Sequence, residues 1–252
     1  MSANSGGSSV NIDYTHYYRR WHPETPEHQA EMSAFYRRVL GPHLPADKSA
    51  PVLDVGCGGG YALAALREMG FTRLDGVESD AGQVASCAKK GLPVELAADT
   101  IAFLRERAGQ FQLLLCLDVL EHVPHDAQLP FATALAAALA PGGRLICTVP
   151  NASSALASHW RHNDWTHHAS FTECSLDFLL HHAGFSDIRA GEVEFLTRPA
   201  NWWLPFASGA RHWWAFRFFR GWRRLEVMAE LGPQQGRTVP LSLNLLGVAR
   251  KP

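Results

Sequence analysis

The chain has no run of the roughly 18–20 apolar residues that a membrane-crossing helix requires, so no span is expected. It has no surplus of either charge. Lys and Arg number 23 against 24 Asp and Glu, a net charge of −1, and no basic field marks a nucleic-acid binder. Cysteine is sparse. The five present, at 57, 87, 116, 147 and 174, are odd in number, scattered and without a C-x-x-C pair. That argues against a disulfide framework or a cysteine zinc site, and suits small apolar residues in a reducing, cytoplasmic setting. Internal repeats are absent. The Ser/Gly/Asn-rich start lacks the apolar core of a secretory signal, and residues 1–13 read as a disordered lead. Residues 14–252 have the length of one α/β domain with additions. At 46% hydrophobic, the chain can fill a core.

One fingerprint is also missing. Val52-Leu53-Asp54-Val55 reads as a strand, Gly56-Cys57-Gly58-Gly59-Gly60 as a turn, and Tyr61 to Met69 as a helix. That geometry brings backbone close to a nucleotide-like ligand. A dinucleotide motif G-x-G-x-x-G begun at Gly56 needs glycine at 61, where Tyr61 stands. Present instead is Asp54-x-Gly56-x-Gly58-x-Gly60, with an acid two residues before the first glycine.

This string resembles motif I of the class I S-adenosylmethionine-dependent methyltransferases. The resemblance implies S-adenosylmethionine as cofactor, with Asp54, Gly56, Cys57, Gly58 and Gly60 at its methionine end. It also implies a Rossmann-like seven-stranded doubly wound α/β sheet of order 3-2-1-4-5-7-6. Later stretches fall in register with the family. Arg73 to Glu78 reads as strand two, placing Glu78, followed by Ser79, where an acid accepts from ribose hydroxyls; the alternative is an exposed strand-end carboxylate. Asp80 caps a helix to Lys90, and Leu92 to Leu96 is strand three. Asp99 and Thr100 then stand where the family meets adenine, although Asp99 equally suits the N-cap of a helix 101–107. Phe111 to Leu117 is a buried parallel strand, with Leu117 implied as a backbone contact. The string Asp118-Val119-Leu120-Glu121-His122-Val123 resembles motif IV of the small-molecule subgroup and of ubiquinone-biosynthesis O-methyltransferases. It is unlike the N-P-P-Y type of amino-methylating nucleic-acid enzymes.

Asp118, Glu121 and His122 stand at i, i+3 and i+4 and would share one face of a helical turn. Such a set suits a hard divalent cation. The bland reading, adopted here with no metal, is capping and hydrogen bonding around the cofactor, with Asp118 and His122 as contacts. A helix to Leu139 is expected to stop at Pro141-Gly142-Gly143 before strand five, 144–149, in a stretch ("LAPGGRLICTVPN") that matches the family. Residues 14–50 read as an N-terminal helical lid in which Tyr17, Tyr18 or Trp21 would touch the cofactor; the alternative is that these aromatics pack the core. Tyr18 is the contact named.

Beyond strand five, 151–171 collects His159, His162, His167 and His168 with Trp160, Trp165, Asp164 and Arg161 on the ligand-binding edge of such a sheet. His168-x-x-Phe171-Thr172 resembles an element of small-molecule and glycan methyltransferases. Oxygen methylation needs a base, and His titrates near neutrality. His167, then His168, is the candidate; helix-capping or surface histidines are the alternative. A helix 173–183 and strands 186–195 and 241–251 complete the sheet.

Between those last strands, 196–239 carries five of the eight tryptophans. Trp214, Phe218, Phe219, Trp222 and Leu225 share one helical face, with Arg217, Arg220, Arg223 and Arg224 opposite. The segment 211–225 suits a peripheral membrane contact at the inner face of the membrane, a lid, a homodimer contact, or a helix packed on its own core. The expected reaction is O-methylation of a small-molecule, glycan or lipid-linked acceptor. The alternatives are N-methylation of a small molecule and a non-catalytic S-adenosylmethionine-binding partner protein. An oxidoreductase on the same fold is disfavoured by Tyr61 and Asp54.

Overall fold

A computed structural model describes residues 17–193, 196–204 and 209–252. The reading of 1–13 as disordered, the first residues of the lid and the end of the expected strand 186–195 lie outside them. Strands β1 (Val52–Val55), β2 (Leu74–Glu78), β3 (Val94–Leu96), β4 (Phe111–Leu117), β5 (Leu139–Pro150), β6 (Ser186–Glu192) and β7 (Asn244–Arg250) form one sheet of order β3-β2-β1-β4-β5-β7-β6. β7 is antiparallel to both neighbours, and β1 to β5 are parallel.

Successive β4 residues point to opposite faces and meet different helices. Leu114 and Cys116 join the core that holds Phe131, Leu135 and Leu176. Leu113 and Leu115 join the one that holds Leu40, Leu63 and Leu66. Both faces are therefore dry, which is why β4 is apolar at nearly every position. Each such leucine contributes about 2 kcal/mol by burial.

The helices are α1 (Pro26–Leu40), α2 (Tyr61–Glu68), α3 (Ala81–Lys89), α4 (Thr100–Glu106), α5 (His125–Ala138), α6 (Ala157–Asn163), α7 (Glu173–His182), α8 (Ala210–Leu231) and α9 (Pro233–Thr238). Caps set several starts. Thr25, Asp80, Asp99 and Thr172 each accept from a backbone N–H in the first turn of α1, α3, α4 and α7.

The expected glycine stop after α5 is corrected. α5 ends at Ala138 and β5 starts at once, so Pro141-Gly142-Gly143 lies inside the strand. Between Phe111 and Leu113 of β4, the β5 partner moves from Leu139 to Arg144, so extra residues bulge out. The end of α5 is satisfied differently: Lys251 Nζ, just past β7, donates to the carbonyls of Ala137 (3.2 Å) and Leu139 (2.6 Å).

The insertion between β6 and β7 holds α8 and α9. Gly236 of α9 lies so close to α8 that a Cβ there would come 2.5 Å from Met228 Cα. A helix packed on its own core, one of the four readings of this segment, is not what the structure holds. Among α8 residues only Ala210 is buried. Arg220 and Arg224 turn inward to Glu192 at the end of β6, and Arg224 also donates to the carbonyls of Gly236 (2.7 Å) and Val239 (2.6 Å).

Candidate active site

The carboxyl ends of β1, β2 and β4 open into a cavity of about 1290 Å³. That exceeds the roughly 300–1,000 Å³ of a pocket for one drug-sized ligand, leaving room for a donor and an acceptor. Tyr17, Trp21, Met32, Phe35 and Leu40 line it from the N-terminal segment, Trp160 and Asn163 from α6, and Val193 and Asn244 from the far strands. Tyr17 Oη donates to the Asn163 carbonyl at 3.3 Å, joining two walls.

Asp54 lies in the cavity wall at the end of β1 and is almost fully buried. Burial, then the Glu78 carboxylate, push it up to about 7. Beyond it, Gly58 has φ +52, a left-handed backbone, and its N–H donates to Glu78 Oε2 at 2.9 Å. Glu78 Oε1 accepts from the N–H groups of Ser79 (2.7 Å) and Asp80 (3.0 Å), so the turn itself aims this carboxylate. Glu78, Ser79, Gly56 and Cys57 all line the cavity. Tyr18 rests on the turn: its hydroxyl accepts from Gly59 N–H at 3.4 Å, and a Cβ on Gly58 would come 2.8 Å from that oxygen. The Cys57 thiol, hydrogen-bonded to Cys87 and buried, is held far above its ordinary value, so it is no thiolate.

Three of the predicted cofactor residues lie away from the cavity lining. Gly60 serves packing: it precedes α2 with φ +73, and a Cβ there would meet Leu92 Cδ1 at 2.5 Å. Asp99 Oδ1 accepts from Ala102 N–H at 3.0 Å as the cap of α4, which Thr100 begins; the lining beside them is Leu96 and Ala98.

Leu117 and Asp118 line the cavity after β4. Asp118 has φ +54, unusual for a non-glycine residue. Its N–H donates to the Thr148 carbonyl and hydroxyl, both at 3.0 Å, and its Oδ1 accepts from Asn244 Nδ2 at 2.6 Å. Burial pushes it up to about 6 against those hydrogen bonds. The expected shared helical face is corrected. Only Leu120–His122 make a single 3₁₀ turn, and Asp118 precedes it in the left-handed region.

The group that forms instead is Glu121, His122 and His167, whose ligand atoms lie within 4.8 Å of one another. Glu121 is buried, and its Oε2 has no hydrogen-bond partner among the described residues. Burial, then Asp118, hold its carboxyl well above the carboxylate range. His122 Nδ1 meets Thr166 Oγ1 at 2.7 Å, and Thr166 Oγ1 donates to the buried Asp164 at 2.7 Å. The Thr166 proton is thereby spent, so Nδ1 carries the imidazole hydrogen. Burial, then His167, lower His122 to about 4. The two rings stand edge to face with centroids 4.7 Å apart.

His167 Nδ1 lies 3.2 Å from the Trp160 carbonyl, which can only accept. Nδ1 therefore bears the proton and Nε2 the lone pair, and burial lowers the ring below its ordinary value. His167 lines the cavity and His168 does not. The His168 backbone instead bridges Glu121, 2.6 Å from its N–H, and Arg161, 2.9 Å from its carbonyl. Sequence reasoning missed Asn244, a lone amide in an apolar strand, and Thr166, whose only signal was its place beside the histidines.

A family model described as a methyltransferase domain matches residues 25–190. The chain belongs to this methyltransferase family. It is 35% identical over 104 residues to a ubiquinone biosynthesis O-methyltransferase of Caulobacter sp. strain K31, a match covering 40% of each chain. It thus spans well under half the length of that relative. The fold matches a SAM-dependent methyltransferase of Archaeoglobus fulgidus at a TM-score of 0.66 and 20% identity, over 95% of this chain and 100% of that one. It also matches the 1,6-didemethyltoxoflavin-N1-methyltransferase of Burkholderia thailandensis with bound S-adenosylhomocysteine, at 0.53 and 20%, over 94% and 83%. S-adenosylmethionine is the cofactor, and the residues present fit it. A buried carboxylate stands ready for an ammonium, a second is aimed by the turn, and the turn carries no Cβ at Gly56 or Gly58. No described helix is long and apolar enough to cross a membrane.

Proposed function

We propose that this protein methylates an acceptor hydroxyl, with His167 as the general base. The cofactor supplies a methyl group on an activated sulfonium. The chain's task is then alignment and proton removal. Asp54 and the glycine turn hold the methionine end, and Glu78 with Ser79 holds the ribose. Leu96 and Ala98 flank the adenine, with Asp99 and Thr100 shaping their loop. The observation that carries the reading is His167: neutral, its Nε2 lone pair set by the Trp160 carbonyl, in the wall of the cavity that holds the donor cradle. Tyr17, Trp21 and Trp160 give the acceptor an aromatic surround, which suits a planar or lipid-linked hydroxyl. A non-catalytic binding protein is expected to fill this space with its own side chains, and about 1290 Å³ remains open.

The test is calorimetric titration with S-adenosylmethionine, then a methyl-transfer screen over phenols, sugar hydroxyls, lipid-linked hydroxyls and amines, with and without divalent metal. Absence of binding at millimolar cofactor sinks the reading. Transfer to amines alone replaces the hydroxyl acceptor.

A further inference from the structure

Helix α8 turns two of its arginines inward and its aromatics outward. Arg220 and Arg224 turn to Glu192, whereas Trp214, Phe218, Phe219, Trp222 and Leu225 are exposed, Trp222 to 66% and Phe218 to 67%. Wheel positions place Arg211 and Glu226 in the same arc as these aromatics; both are exposed, and Glu226 is neutralised by Arg223 at 2.6 Å. The patch continues past the helix start. Trp214 Nε1 donates to the Trp202 carbonyl at 2.8 Å, the Trp202 ring packs on Trp213 and Trp214, and the next residues, Trp203 and Leu204, are exposed. A water-facing helix normally shows the opposite pattern, and a contiguous aromatic patch of this kind marks a contact surface.

Charge decides what covers it. Segment 196–239 holds seven Arg and two Glu, a net of +5, in a chain whose total is −1. Arg220 and Arg224 are spent on Glu192, but Arg198 and Arg217 stay exposed over the Trp202 and Trp213 rings, and Arg211 is exposed as well. A second copy meeting this face through a two-fold axis would therefore set arginine against arginine. An anionic lipid surface complements both features. Tryptophan and phenylalanine settle at the headgroup boundary, and arginine meets phosphate. We infer that α8 lies along the surface of a bilayer containing anionic phospholipid, with its Trp214–Leu225 face in the headgroup layer. The helix lies on the bilayer without crossing it. The inference does not depend on which acceptor is methylated.

The test is co-sedimentation of the full chain with phosphatidylcholine vesicles and with phosphatidylcholine–phosphatidylglycerol vesicles, alongside light scattering for mass. The wild type is expected to sediment with the anionic vesicles, less with the neutral ones, and less again in high salt. A Trp214→Ala/Phe218→Ala/Trp222→Ala variant is expected to lose about tenfold or more in partitioning while binding S-adenosylmethionine as before, which shows it is folded. An Arg211→Gln/Arg217→Gln variant is expected to lose the preference for anionic vesicles and keep residual binding. Wild type that stays in the supernatant overturns the inference, as does equal sedimentation of the triple variant. A wild-type dimer that the triple variant converts to monomer, with no vesicle binding by either, assigns the face to a second copy and likewise overturns it.

Discussion

Asn244 reaches across 126 positions of sequence to donate to Asp118 at 2.6 Å, tying the last strand to the loop that floors the cavity. Asn244→Ala removes the only donation to that carboxylate from β7. We expect a loss of about 1–3 kcal/mol at pH 8, by chemical denaturation. The sign of its pH dependence follows from Asp118. Its folded value is raised from 3.8 to about 6, so the ionised form costs stability as pH rises through about 6. Without Asn244 the charge is worse accommodated, and the variant's deficit should be smaller at pH 5 than at pH 8. A deficit independent of pH would show that the amide matters only for packing.

Asp54 should couple cofactor binding to a proton. At about 7 before the cofactor binds it is half protonated near neutrality, and an ammonium beside it favours the charged form. Affinity for S-adenosylmethionine is therefore expected to rise with pH up to about 7 and then level, falling by up to about tenfold per unit below. In Asp54→Asn the affinity drops and the slope flattens. Calorimetry in buffers of different ionisation enthalpy would show one proton released by wild type near pH 6 and none by the variant.

His167→Ala should lower kcat by about 10²–10⁴-fold and leave cofactor affinity within error. Because burial depresses the ring below 6.5, wild-type kcat should hold through neutrality and fall only as the solution becomes acid enough to protonate Nε2. His168→Ala, whose side chain does not line the cavity, should keep that profile. Loss of the acid limb in the His168 variant, and not in the His167 variant, would reverse the assignment.

Gly60→Ala should destabilise the chain by roughly 2–4 kcal/mol, combining left-handed strain with overpacking against Leu92 and Cys87. Gly58→Ala meets Tyr18 instead, a side chain that can swing. It shares the left-handed strain, about 1–2 kcal/mol, without the overpacking, and its further effect should be on cofactor affinity. Denaturation and calorimetry on the two variants separate a packing glycine from a binding one.

Glu192→Ala frees two guanidiniums and the Leu241 N–H, which donates to Glu192 Oε1 at 2.6 Å. Hydrogen exchange should show α8 and α9 losing protection while β1 to β4 keep theirs, at a cost of about 1–3 kcal/mol for these partly exposed pairs.

The parallel part of the sheet was legible because β1 and β4 are short, largely apolar runs and because Asp54, Glu78 and Asp118 stand at or beside strand ends in chain order. Its antiparallel seventh strand came from resemblance alone. The first half of β5 was not legible, since Pro-Gly-Gly after an alanine-rich helix has the composition of a helix stop; Lys251, over a hundred residues on, supplies that stop. Asp99 had two roles open in sequence, and its first-turn hydrogen bond establishes the cap. For α8, periodicity separated aromatics from arginines but carried no information on which face met the body. That depends on Glu192, on another element. His167 was recognisable as a residue type in a plausible place; its tautomer required the Trp160 carbonyl.

The bond from Tyr17 to Asn163 has a bearing on time. Two molecules must arrive and two must leave through a cavity whose walls that bond joins. On the proposed reaction, each turnover then includes a parting of those walls, a matter of microseconds to milliseconds for such segments and quicker than the chemistry that His167 governs.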